Sequence, residues 1–253
     1  MAPRRSFWIG TLSVALALGA WALASAYLVD PTLLPPPGRV WTAAAKLARS
    51  GELLDAARVS LARVAAGYLL GAAAGLITGL VLGGVRAADL VLGPVFAFLK
   101  GLPPIALVPL SIMWFGIGET PKHLIIAYIV WVVVTINVAG GVREIPTIRL
   151  RAGAVLGLTG LERFARIVAP SIVSYLLVGM RNAIGFAYVA LVSAELVAAS
   201  SGLGYLIMDS RFSLQTARMI VGLVALGFLG AVSQAGFDLA ASRSRLLGRY
   251  ARH

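Results

Sequence analysis

Apolar residues in this chain come in long runs rather than at the period of a half-buried helix or strand. Six stretches approach the ~20 residues that a helix needs to cross a bilayer: 7–29, 59–82, 90–115, 124–139, 172–197 and 219–240. The fourth is short. Polar residues gather between the runs, most of all in RAGAVLGLTGLERFARIVAP, residues 151–170. The pattern predicts an all-α integral membrane protein with about six transmembrane helices.

Composition strengthens that reading. The 253 residues are 59% hydrophobic and 13% charged, with a mean hydropathy of +0.90. A soluble domain is nearer 45–50% apolar and ~25% charged. The formal net charge of +12 would suggest nucleic acid in a soluble protein. In a membrane chain it reads as basic residues flanking spans and holding loops inside, and no basic helix with interleaved aromatics is present. No cysteine exists, which excludes disulfides, zinc–thiolate sites and iron–sulfur clusters. His123 and His253 are too far apart in sequence to suggest a metal site.

The N-terminal PRRSF, with Ala24-Ser25-Ala26 further on, resembles a signal peptide, even a twin-arginine one. Its apolar run exceeds the ~7–15 residues of such a segment, so a retained first helix is predicted. With that terminus inside, Arg4, Arg5, Arg86, Arg143, Arg149, Arg151, Arg163, Arg166 and the arginines from 243 on fall in inside segments. They outnumber Arg39, Lys46, Arg49, Arg58, Lys122, Arg211 and Arg218 outside. The bias places both termini inside. Residues 33–54 read as a proline-stiffened entry followed by short amphipathic helices. Residues 199–216 read as a glycine-punctuated, partly apolar outside segment.

Within the second run, Gly67, Gly71, Gly75, Gly79 and Gly83 recur every fourth residue. They lie on one slowly drifting face, suited to close helix packing or to contact with a solute. In the third run, Pro103 and Pro104 remove two backbone donors and must kink or break the helix. Broken spans are tolerated where buried in protein or lining a watery cavity. Lys100, just before the break, either snorkels or pairs near a membrane face, or stands beside a translocation path. Arg181, Asn182 and Glu195 fall inside the fifth run, where ionisable groups are costly and point to function or to a structural partner. Arg181 and Glu195 are ~21 Å apart along a straight helix, so they cannot pair with each other.

The stretch 151–170 predicts two helices. Ile148 to Leu156 reads as the first, capped by Gly157. Thr159 and Glu162 have capping-box spacing. After them Leu161, Phe164, Ala165 and Val168 make one apolar face, and Glu162 and Arg166 form a favourable i,i+4 pair. Pro170 ends this helix or opens the next. By pattern alone the segment is either a docking element or an interfacial helix parked on lipid headgroups. None of the three lysines is followed by Ser or Thr, so no phosphate-binding loop of the G-x-x-x-x-G-K-[ST] type exists. The chain is therefore not expected to be an enzyme.

Several stretches resemble the membrane permease subunits of bacterial ATP-binding-cassette importers, of the nitrate/sulfonate/taurine branch. The loop matches that family's E-A-A-x3-G-x9-I-x-L-P motif in spacing, through Arg151, Ala152, Gly153, Gly157, Ile167, Ala169 and Pro170. It departs at Arg151, Gly153 and Ala169, most sharply where an arginine replaces the acid. LLPPPGRVW, PPIALVPLSIMWFGIGETPK, GMRNAIGFAYVALVSAEL and SSGLGYLI resemble the same branch in the right order.

The resemblance implies the type I ABC importer permease fold over 57–242, behind an N-terminal helix (1–30) and a periplasmic segment (31–56), with a basic cytoplasmic tail at 243–253. It implies a bacterial inner-membrane protein that pairs with a second permease, as a homodimer, and receives solute from a periplasmic binding protein. The loop 143–170 would couple to separate ATPase subunits, which would hold ATP and magnesium; this chain would bind no cofactor itself. Arg151, Ala152, Gly153, Gly157, Glu162, Phe164, Arg166, Ile167 and Pro170 would meet the ATPase. Lys100, Pro103, Pro104, Arg181, Asn182 and Glu195 would form the path or gate for a small, anionic solute. Gly202, Gly204 and Tyr205 would face the binding protein. A stand-alone secondary transporter or channel, or a non-conducting scaffold, is the alternative.

Overall fold

The computed structural model describes residues 3–243, and their side chains from residue 12 onward except 14 and 198. The side chains of Arg4 and Arg5, and the expected tail beyond Arg243, lie outside what it describes. Among the described residues every element is helical. Four helical runs are long and apolar enough to cross a membrane, Glu52–Gly84, Glu119–Arg143, Gly160–Val197 and Thr216–Arg243, and a bent helix pair makes a fifth if taken as one span. The chain divides into two units, residues 1–59 with 200–227, and residues 60–199 with 228–253.

In the first unit α1 (Pro3–Tyr27) covers the first predicted run up to Tyr27, and α2 (Pro37–Arg49) is one short helix in the 33–54 segment. Two side chains of α1 tie the intervening turn: Trp21 Nε1 donates to Pro35 O at 3.1 Å and Ser25 Oγ to Leu34 O at 2.7 Å. The second short helix expected by residue 54 is instead the first turn of α3 (Glu52–Gly84). Glu52 and Asp55 sit there at the positive end of the helix, which favours acids and extends it outward. The helix α10 (Leu203–Phe212) fills the segment expected to be glycine-punctuated and buries Leu203, Gly204, Leu206, Ile207 and Ser210. Arg218, on α11 (Thr216–Arg243), pairs with Glu52 and, at 3.5 Å, with Asp209.

The second unit is built on α3, α6 (Glu119–Arg143) and α9 (Ala169–Ala198). The glycine face of α3 meets α6 in register. A Cβ at Gly67 would lie 2.6 Å from Ile126 Cβ, at Gly71 2.3 Å from Ala127 O, at Gly75 2.8 Å from Val134 Cβ, at Gly79 2.7 Å from Val138 Cβ and at Gly83 2.7 Å from Val142 Cβ. Both series ascend together, so α3 and α6 run parallel. α9 lies antiparallel to α6, with Gly141 against Tyr175 and Gly179 against Asn137.

Two adjacent parallel helices require the chain to return between them. That return is α4 (Arg86–Leu99) and α5 (Pro104–Phe115), bent by 96°. Pro103 caps α5 and Pro104 opens it, as the missing donors predict. Tyr128 on α6 donates its hydroxyl to Leu99 O and, at 3.2 Å, to Leu102 O, so carbonyls at the break are satisfied. The fourth run, expected to be short, is a 25-residue helix. Glu119, Lys122 and Arg143 extend it because each is ion-paired.

Candidate functional site

The polar loop folds as its pattern predicts. α7 (Thr147–Val155) ends at Gly157, whose φ of 72° is left-handed. Leu158 N donates to Gly153 O and Gly157 N to Ala154 O, both at 3.0 Å. That is the paired bonding of a Schellman turn, and it favours glycine at this position. α8 (Gly160–Arg163) opens with the capping box: Thr159 N donates to Glu162 Oε2 at 3.0 Å. These bonds hold the Glu162 side chain in place, with Arg166 3.9 Å away.

The helix does not stop at Pro170. It passes through a π turn, Phe164–Val168, into α9. Pro170 cannot donate to Arg166 O, and its ring crowds the previous turn. The wider turn accommodates it, and Ser171 Oγ donates to Ile167 O at 2.7 Å. Of the motif residues, Gly153 is buried, and a Cβ there would lie 2.6 Å from Ile167 Cδ1. The absence of a side chain lets the two helices meet. Ala152, Gly153, Ile167 and Pro170 line a cavity of about 540 Å³ flanked by Arg149 and Arg166. Arg151 is exposed, and so are Leu161 and Phe164.

At the opposite ends of α6 and α9 lies an ionic node. Ser60 and Arg63 are one helical turn apart on α3, as are Glu119 and Lys122 on α6. Arg63 Nη1 donates to Glu195 Oε1 at 2.7 Å, and Ser60 Oγ to the same oxygen at 2.8 Å. Arg63 Nε and Nη2 donate to the two oxygens of Glu119 at 2.6 and 2.7 Å. Lys122 Nζ adds a bond to Glu119 Oε1 at 2.9 Å. Burial of single charges is prohibitive in an apolar span, and two cations with two acids make it tolerable. Sequence singled out Glu195; Arg63 lies inside the second apolar run, 59–82, as a lone charge. Ser60 and Glu119 were missed and Lys122 was read only as a loop charge, though the i,i+3 spacing of each polar pair at a run's edge is a visible signal.

Arg181 finds a different partner. Its Nη2 donates to Asp238 Oδ2 on α11 at 2.9 Å, and both side chains remain half-exposed. Together with Ser174 and Ser242 they line an open cavity of about 630 Å³. Asn182 is exposed on α9. Lys100 caps α4 at the bend and is exposed, with no ion pair among the described residues. Lys100, Arg181 and Glu195 are thus not brought into one cluster. Gly202, at φ 105°, and Gly204 are buried at the start of α10, while Tyr205 is exposed.

Apolar helices whose deeply buried charges Arg63, Lys122 and Glu195 are held in one compensated set, with a span broken by prolines, are suited to conducting a polar solute through lipid. The class is a multi-pass membrane transport protein. Its family follows from likeness. The chain belongs to the binding-protein-dependent transport system inner membrane components, whose family model matches residues 69–246. Within it, the chain falls in the nitrate/sulfonate/taurine branch of ABC importer permeases. It is 33% identical over 229 residues to SsuC of Bacillus subtilis (strain 168), a permease protein assigned to aliphatic sulfonates transport, covering 90% of this chain and 83% of that one. It is 30% identical over 233 residues to the taurine transport system permease protein TauC of Escherichia coli (strain K12), covering 90% and 84%. Its fold matches a chain of the MetNI methionine ABC transporter in an inward facing conformation, with TM-score 0.63 and 20% identity over 72% of this chain and 90% of that one. The expected type I permease fold is therefore correct.

Proposed function

We propose that this chain forms the translocation path of an ATP-driven importer for a small anionic solute, sulfonates first among them. Two copies pair in the bacterial inner membrane with both termini cytoplasmic. A periplasmic binding protein delivers the solute at the face of Gly202, Gly204 and Tyr205. Separate ATPase subunits, holding ATP and magnesium, dock on the 143–170 loop. The observation that carries this reading is that loop: a capped double helix, basic and apolar on its exposed side, continuous with a membrane-length helix. Closure of the ATPase pair would shift the loops and bias the bundle between two states. Lys100, the break at Pro103 and Pro104, and the Arg181–Asp238 cavity with Asn182 are the parts assigned to the path.

The test is reconstitution of the chain in vesicles with its ATPase and binding protein. Uptake of a labelled alkanesulfonate is expected only with all three and with ATP. Uptake that persists without the ATPase would establish a stand-alone transporter instead. Normal uptake after changes at Lys100 and Arg181 together would remove those residues from the path.

A further inference from the structure

Glu119 is the member of the ionic node that burial does not explain. The side chains of Arg63, Lys122 and Glu195 are 2%, 4% and 0% exposed, whereas that of Glu119 is 52% exposed. Its carboxylate fills a ready-made fork. Arg63 Nε and Nη2 each take one oxygen, at 2.6 and 2.7 Å, and Lys122 Nζ shares one of them at 2.9 Å. Such planar, charge-assisted pairing suits any oxyanion that presents two oxygens side by side. A sulfonate does so with nearly the spacing of a carboxylate.

The fork does not depend on Glu119 for its position. Arg63 Nη1 is held by Glu195, which Ser60 also holds through both oxygens, at 2.8 and 3.0 Å. If the Glu119 carboxylate swings out, two cations remain against one buried acid, a net charge of +1 with three aimed donors. The displaced carboxylate is already half in solvent, so its rehydration costs little. Its helix begins just after Gly116 and Gly118, where a Cβ would meet nothing within 4 Å, so that end of α6 has room to shift.

We propose that Arg63 and Lys122 form an oxyanion site for which Glu119 is the tethered resident, and that a small sulfonate binds there by displacing it. This rests on the reading above that the solute is anionic. It adds where the solute first exchanges water for protein: at the end of the helices opposite the ATPase-docking loop, ahead of the Arg181 cavity.

The test uses the purified full chain in lipid nanodiscs, without ATPase. Sodium methanesulfonate is titrated calorimetrically, with sodium chloride as the control at equal ionic strength. A resident tethered beside its site competes at an effective concentration of roughly millimolar or above. Wild type is therefore expected to bind weakly, and Glu119→Ala at least ~10-fold more tightly. Adding Lys122→Gln to Glu119→Ala should remove that gain. Equal affinity of wild type and Glu119→Ala would overturn the site, and so would a gain that survives loss of Lys122. Should Glu119→Ala not fold, Glu119→Gln replaces it. Methanesulfonate should also raise the thermal transition of wild type over chloride, and the absence of this rise, or its persistence in Lys122→Gln, counts against the proposal. Binding to the chain alone is independent of any ATPase. Failure of ATP-driven uptake with the affinity gain present therefore sinks the importer reading only, and the reverse sinks the oxyanion site only.

Discussion

Replacing Gly71 by alanine tests the packing on which the bundle depends. The new methyl carbon would lie 2.3 Å from Ala127 O and 2.8 Å from Val130 Cβ. Ordinary contact begins at 3.4 Å, a shortfall of 3.4 − 2.3 = 1.1 Å. The nearest atom is backbone, so no rotamer change relieves the overlap, and α3 and α6 must separate locally. A gap of 0.5–1 Å forfeits roughly a quarter to a half of each dispersion contact along the neighbouring seam. Overpacking of this kind costs about 1–3 kcal/mol. The helix propensity gained, about 1 kcal/mol at most, offsets only part of it. Reversible unfolding in mixed micelles of increasing SDS fraction measures the difference. Gly84→Ala is the control, because its Cβ would meet only Val142 Cγ1, at 3.9 Å. If Gly71→Ala unfolds at the same SDS fraction as wild type and Gly84→Ala, the seam is not close-packed and the reasoning fails.

Glu195→Gln removes the buried acid that pairs with the buried Arg63 at 2.7 Å, and a loss near the lower end of the ~3–5 kcal/mol for breaking a buried pair is expected. Thermal denaturation in nanodiscs checks it, and an unchanged transition would refute it. Gly157→Ala forces a left-handed backbone on a residue with a Cβ, at about 1–2 kcal/mol; chain yield should hold while stimulation of the ATPase falls. Arg151→Glu should weaken co-purification with the native ATPase, since an exposed arginine at this corner calls for an acid on the partner. Undiminished assembly and uptake would exclude a charge-specific contact there.

Much of the fold was legible because each signal was local. Gly157 and the Thr159–Glu162 pair name their own turns within a few residues, and Pro103–Pro104 can only interrupt a helix. The glycine face of α3 announced close packing, but nothing in the pattern named α6 as its partner or gave the parallel direction. The length of α6 was missed because Glu119 and Lys122 look like the end of a span until Arg63 is seen opposite. Arg63 lies 56 residues before Glu119, and Glu195 lies 132 residues beyond Arg63. No window along the chain contains all three. The π turn also escaped the pattern, because Pro170 read equally well as a stop or a start.

That turn has a consequence for insertions and deletions. The helical run Gly160–Val197 spans 38 residues, about 57 Å at 1.5 Å per residue. Within it, Phe164–Val168 carries one residue more than an α-helical turn accommodates. A π turn spreads about one revolution over that extra residue, so five residues there sweep nearly the angle that four sweep in plain α-helix, about 400° at about 100° each. Deleting a single residue there would restore plain helix with the Thr159 corner facing almost as before relative to Glu195. The π turn therefore absorbs an extra residue while keeping the two ends of one rod in phase. A relative without that residue would present its loop to its partner from nearly the same side.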